Sequence, residues 1–214
     1  MLAGLKESGL DADIDRYDWT AGDPGLDALL AYDRNQRQAR IIAEAITRKF
    51  RADPRAPLFI TSHSGGAGLL AWALEDCPAD VKVDTIFFLA PALSPGYDLS
   101  KALAHVKNHA YVFYSEHDPV LGAGTRAFGT IDRVKSDAAG LVGFATPKTA
   151  DAKQYAKLVQ FPYKNDYQDW GNMGDHIGPM TSEFAVHVLA PLMGATSKTA
   201  QVSHPATQPA MMGS

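Results

Sequence analysis

The chain has 214 residues, 46% of them hydrophobic, which is enough for one substantial core and too few for two independent catalytic domains. Its 20 basic and 24 acidic side chains leave a formal charge of −4, and the aromatic residues do not alternate with a basic stripe, so composition argues against a nucleic-acid partner. The single cysteine, Cys77, excludes an intrachain disulfide framework and a multi-cysteine zinc centre, and no apolar run approaches the roughly 18 residues of a membrane span.

Leu2 to Ser8 reads as an amphipathic helix end stopped near Gly9. Ala12 to Trp19, with Ile14 and Tyr17 among acids, is expected to be a strand leading into the turn Thr20–Gly25. Leu26 to Phe50 is the clearest helix, because Leu29, Leu30, Ala39, Ile42, Ala43 and Ile46 recur at helical spacing. Arg34, Arg37, Arg40, Arg48 and Lys49 then form its wetted face. Pro54 and Pro57 punctuate the return to a strand at Leu58–Thr61, and a helix-compatible run follows from Ala67 to Glu75.

Further strands are expected at Val83–Leu89, near Tyr111–Tyr114 and at Leu158–Phe161. A short helix is expected at Leu99–Val106 and a terminal one at Phe184–Met193. Gly122 to Ala150 reads as a broad surface insertion, with a lid as its functional alternative. Short apolar strands separated by helices predict an α/β fold, with a doubly wound, mostly parallel sheet. Residues 1–194 are expected to form one domain, and 195–214 a flexible or irregular tail.

The chemistry-bearing segment is Pro57-Leu58-Phe59-Ile60-Thr61-Ser62-His63-Ser64-Gly65-Gly66. A strand runs into Ser64 and a helix starts directly after it, the geometry that lifts a nucleophilic hydroxyl clear of a sheet. Ser62 stands where the G-x-S-x-G pattern has its first glycine. The same residues also fit a strand ending in a polar turn and helix cap. Asp118 follows the strand at Tyr111–Tyr114, and His176 lies in the late loop Gly171–Pro179. Ser64, Asp118 and His176 thus occur in the chain order of one version of the serine–histidine–acid triad.

Rival assignments are His63 as base and Asp175 as acid, but side-by-side placement in sequence argues against each. Gly65 follows the nucleophile, so its backbone N–H is a candidate oxyanion donor. No phosphate loop, dinucleotide fingerprint or His–Glu–His metal helix is present, and neither cofactor nor metal is expected.

Over most of its length the chain resembles the α/β-hydrolase family, nearest to a poorly characterised lipase/esterase-like branch. The likeness rests on Ser62-His63-Ser64-Gly65-Gly66, Ser115-Glu116-His117-Asp118, Gly174-Asp175-His176-Ile177-Gly178 and the run Leu89-Ala90-Pro91-Ala92. It implies Ser64 as nucleophile, Asp118 as acid and His176 as base in the hydrolysis of a small uncharged or apolar carboxylic ester. The family usually has a strand before its first helix, and the loop after that strand supplies a second oxyanion donor. Met1–Ser8 is similar to that first helix, so the first strands are expected to be missing.

A hydrolase-like binding or structural protein without efficient catalysis is the alternative from another class; an amidase or peptidase is a weaker one. Phe59, Phe87, Phe88, Tyr97, Phe128, Phe144 and Trp170 are candidates for an apolar pocket. The acidic start, with Asp11, Asp13 and Asp15, is unlike a secretory signal, and a cytoplasmic location is expected.

Overall fold

β-branched and aromatic runs bounded by polar turns become four strands: β1 (Phe59–His63), β2 (Val83–Leu89), β3 (Val106–Tyr114) and β4 (Leu158–Pro162). The computed structural model describes residues 1–20, 22–23 and 25–194. All three strand pairs are parallel and lie in the order β1-β2-β3-β4. The register sets Ser62 beside Phe88, Phe88 beside Val112 and Val112 beside Gln160, so the carboxyl ends of the strands share one edge of the sheet.

Alternation along the strands sorts side chains to two faces. Ile86, Phe88 and Val112 face one apolar cluster with Ala43, Ile46, Leu70 and Leu74. Those partners come from α3 (Tyr32–Ala52) and α4 (Gly66–Asp76). Phe87, Leu89, Tyr111 and Phe113 face a second cluster with Leu5, Phe184, Val188 and Leu189. It is closed by α1 (Leu2–Glu7) and by a helical run at the other end of the chain, Ser182–Phe184, the π-helical Ala185–Leu189 and Ala190–Leu192. Complete burial of a side chain such as Phe87 or Phe88 contributes about 1.5–3 kcal/mol. A doubly wound parallel α/β fold results, and β1 is an edge strand among the described residues.

α3 follows its sequence pattern closely, with Asn35, Ala39, Ala43 and Ile46 buried along one stripe. The expected single helix from Leu26 to Phe50 is nevertheless divided. α2 (Gly25–Leu30) precedes α3, and Ala31 leaves helical geometry at φ −76°, ψ 59°. The cause lies in side chains: Asn35 Nδ2 donates to the Ala28 and Leu29 carbonyls, and Arg34 Nη2 also donates to Ala28. These carbonyls are satisfied without a regular helical turn.

The expected strand at Ala12–Trp19 does not form. Residues 10–18 have no regular structure; Ile14 joins the second cluster and Trp19 the first, so the segment passes from one face to the other without entering the sheet. β3 starts at Val106, five residues before the expected Tyr111, because α5 ends at Ala104 (Ser100–Ala104). The stretch read as an insertion at 122–150 is folded. α6 (Pro119–Phe128) and α7 (Ala139–Val142) occupy it, and Ile131, Ala138, Ala139 and Phe144 are buried. α8 (Ala152–Tyr155) leads into β4. The expected tail at 195–214 lies outside the described residues.

Candidate active site

β1 ends at His63, and the chain turns into α4 through Ser64, whose φ of 54° is left-handed. A non-glycine residue held there costs of order 1–3 kcal/mol, and the surroundings hold it firmly. Ser64 N donates to Leu89 O, while Ser64 O accepts from Ala67 N and Ala92 N. Ser62 replaces the usual glycine at no polar cost, since its buried hydroxyl donates to Phe87 O at 3.1 Å. Gly65 and Gly66 lie close against a neighbour the sequence did not announce. A Cβ on Gly65 would lie 2.8 Å from Trp19 Cη2, and one on Gly66 would lie 3.1 Å from Trp19 Nε1. The indole lies along the first turn of α4.

Asp118 caps α6: its Oδ1 accepts from Val120 N at 2.9 Å and Leu121 N at 3.0 Å, with Pro119 at the first helical position. That leaves Oδ2, which accepts from His176 Nδ1 at 2.7 Å. The helix cap and the contact with His176 are therefore divided between the two oxygens. His176 Nε2 lies 3.0 Å from Ser64 Oγ. The acid and the histidine are 2% and 8% exposed, so this contact chain is shielded, whereas Ser64 is only half-buried and remains reachable.

The histidine loop holds itself in shape. Asn172 Oδ1 accepts from Gly174 N and Asp175 Oδ1 from Gly178 N. A Cβ on Gly178 would sit 2.1 Å from Asn172 Oδ1, so glycine is obligatory there. Asp175, the rival acid, is thus engaged within the loop. His63, the rival base, directs Nε2 to the His176 backbone oxygen at 2.8 Å rather than to Ser64. Burial pushes the His63 pKa down, and the neighbouring His176 adds to the effect. His117 is exposed, with its ring edge-on to Tyr163.

The proposed aromatic pocket is not assembled from the residues expected. Phe87, Phe88 and Phe144 are core, Trp170 stacks on His187, and Tyr97 bonds Glu75. Beside Asp118, a cavity of about 20 Å³ lined by Ser115, Tyr163, Tyr167, Asn172 and Asp175 has room for a water and no more. A wider groove of about 620 Å³ borders Arg40, Arg48, Arg51, Glu44 and Asp76, but it sits at the far end of α4 from Ser64. Exposed apolar side chains do flank the triad in sequence: Val120, Met173 and Ile177 are 55%, 58% and 59% exposed.

Among the described residues no three His, Cys, Asp or Glu side chains converge as metal ligands, and no helix is long and apolar enough to cross a membrane. Ser64, His176 and Asp118 form a triad-like arrangement on a parallel sheet flanked by helices, consistent with the broad α/β-hydrolase architecture. Compared with known proteins, the chain matches no family model, no curated protein and no solved structure.

Proposed function

We propose that this chain is a serine hydrolase that cleaves carboxylic esters. The observation that carries the reading is the unbroken contact from Ser64 Oγ through His176 to Asp118, starting from a strained turn at the head of a helix. Ser64 Oγ attacks the ester carbonyl as His176 Nε2 takes its proton. Asp118 Oδ2 keeps the histidine proton on Nδ1 and stabilises the imidazolium. The alcohol leaves with the proton from Nε2, and water then releases the acid by the same steps in reverse.

The Gly65 N–H lies at the positive end of α4 and is assigned as one oxyanion donor. The apolar side chains of Val120, Met173 and Ile177 favour an uncharged or apolar ester over an anionic one. Esters take precedence over amides because the reading rests on no pocket for a charged side chain.

A specific observation also favours the noncatalytic alternative. Trp19 packs against the flank of the Gly65–Gly66 turn, and no second oxyanion donor is assigned beyond Gly65. Loss of one oxyanion donor costs about 10²–10³ in turnover. A fluorophosphonate probe followed by peptide mass mapping separates the readings. Labelling of Ser64 that vanishes in Ser64→Ala is expected. A well-folded wild type that stays unlabelled by several small probes refutes the esterase assignment.

A further inference from the structure

His63 is the last residue of β1 and precedes Ser64 directly. Period-two alternation sends its side chain to the same face as Phe59, which packs in the second apolar cluster. The loop carrying His176 returns over that face. There the His63 and His176 ring centroids are 4.6 Å apart at an interplanar angle of 48°. His63 Nε2 lies 2.8 Å from the His176 backbone oxygen. A carbonyl only accepts, so Nε2 carries the proton and donates.

We propose that His63 is a positioning residue for His176, tethering its backbone with an N–H while backing its imidazole with a ring. The inference rests on the reading of Ser64 as nucleophile and His176 as base. Two consecutive residues at the end of β1 then grip one residue of the loop: His63 at the carbonyl, Ser64 at the imidazole. The bonds from Gly174 N to Asn172 Oδ1 and from Gly178 N to Asp175 Oδ1 are internal to the loop, Asn172 N ties its start to Tyr167 O, and the His176 side chain reaches Asp118 and Ser64. Among the described residues, His63 supplies the one hydrogen bond from the sheet to the backbone of 173–177.

The same geometry removes His63 from contention as the base, because its ring is turned to the His176 carbonyl while the nitrogen on Ser64 Oγ is His176 Nε2. Burial and the adjacent His176 hold its pKa below the usual histidine value, so it stays uncharged at neutral pH. An uncharged neighbour does not oppose the imidazolium that forms on His176 during acyl transfer.

Two variants separate the tether from the stacking. His63→Phe keeps a ring without the N–H; His63→Gln keeps an amide N–H without the ring. The first readout is the downfield proton resonance of His176 Nδ1–H, which needs no turnover. It is expected in the wild type and in His63→Gln, and broadened beyond detection in folded His63→Phe. The second readout is steady-state ester hydrolysis, with the Ser64 labelling rate beside it. A misplacement of about 1 Å costs up to about 10²-fold, so His63→Phe is expected to lower kcat about 10- to 100-fold with KM nearly unchanged, and His63→Gln to recover most of it.

Wild-type resonance and rates in folded His63→Phe overturn the proposal. If His63→Phe does not fold, His63→Gln decides: retained resonance and rates support the tether, and their loss in a folded protein refutes it. A wild type that ignores the probe, yet shows a His63-dependent resonance, sinks the esterase reading and leaves the positioning role standing.

Discussion

Gly68 offers a test of the elbow's packing in which two known effects pull in opposite directions. It lies within α4, where replacing glycine by alanine ordinarily gains about 1 kcal/mol of helix stability. Here the new Cβ would lie 2.4 Å from Ile131 Cγ2. Ile131 has little room to withdraw: it is 1% exposed, its N–H donates to Ala92 O at 3.0 Å, and its branched side chain is stiff. Overpacking of this kind costs about 1–3 kcal/mol, so Gly68→Ala is expected to destabilise by up to about 2 kcal/mol net. Ile131→Ala alone is expected to cost about 2–5 kcal/mol through the cavity it leaves. In that background the obstruction is gone, and Gly68→Ala should stabilise by about 1 kcal/mol.

The sign of one substitution therefore reverses with its partner, a coupling of about 1–3 kcal/mol. Urea unfolding of the four proteins measures it, comparing midpoints where the slopes agree. Stabilisation by Gly68→Ala in the wild type, or equal destabilisation in both backgrounds, refutes the packing argument. The cycle also bears on the site, because Ile131 Cδ1 lies 3.2 Å from the position of a Cβ on Gly65. Slower probe labelling of Ser64 is expected wherever Ile131 is displaced.

Asp118→Asn keeps a good helix cap but removes the carboxylate from His176, so native stability should hold roughly while ester turnover falls by about 10⁴-fold; a thermal melt beside a rate assay checks both. His63 makes stability pH-dependent in one direction: the unfolded chain takes up its proton near 6.5, while in the folded protein burial, with His176 adding to it and Asp118 only partly opposing it, holds the ring uncharged until lower pH. Stability should therefore fall as pH drops below about 6.5 and recover as it rises, with His63→Gln flattening that slope in melts from about pH 5 to 8. Burial pushes the Cys77 thiol pKa up, so iodoacetamide should leave it unmodified in the native protein and alkylate it in urea, as intact-mass measurement reads directly.

Several strands and the order of the reactive groups were legible because they are written locally. Val83–Leu89, apolar but for Asp84 and Thr85, emerges as β2 with the expected bounds, and Ser64, Asp118 and His176 each lie in a polar turn or loop after a strand signal. Their convergence required only that parallel strands end on one edge. What failed depended on particular partners, some distant in sequence and some close by. Ile14 and Tyr17 among acids suggest a strand, yet among the described residues no strand pairs with 12–19. The break at Ala31 comes from Asn35 and Arg34 competing for carbonyls, which hydrophobic periodicity does not register. Phe87 and Phe88, read as pocket candidates, are core because helices cover both faces of the sheet. Trp19 over the glycines left no local trace. The His63 contact left only a hint, in its alternation with Phe59.

The division of Asp118 between two tasks links reactivity to temperature. Its Oδ1 is held by the first turn of α6, a helix of 10 residues that contains Gly122 and Gly124 and buries only Leu121 and Thr125. An element with so little apolar anchorage opens at a lower free energy than the sheet behind it. Each opening frees the carboxylate to rotate away from His176 while both apolar clusters stay intact. Heating should then silence the site reversibly before the chain melts, and the upper working temperature belongs to this one helix rather than to the fold that carries it.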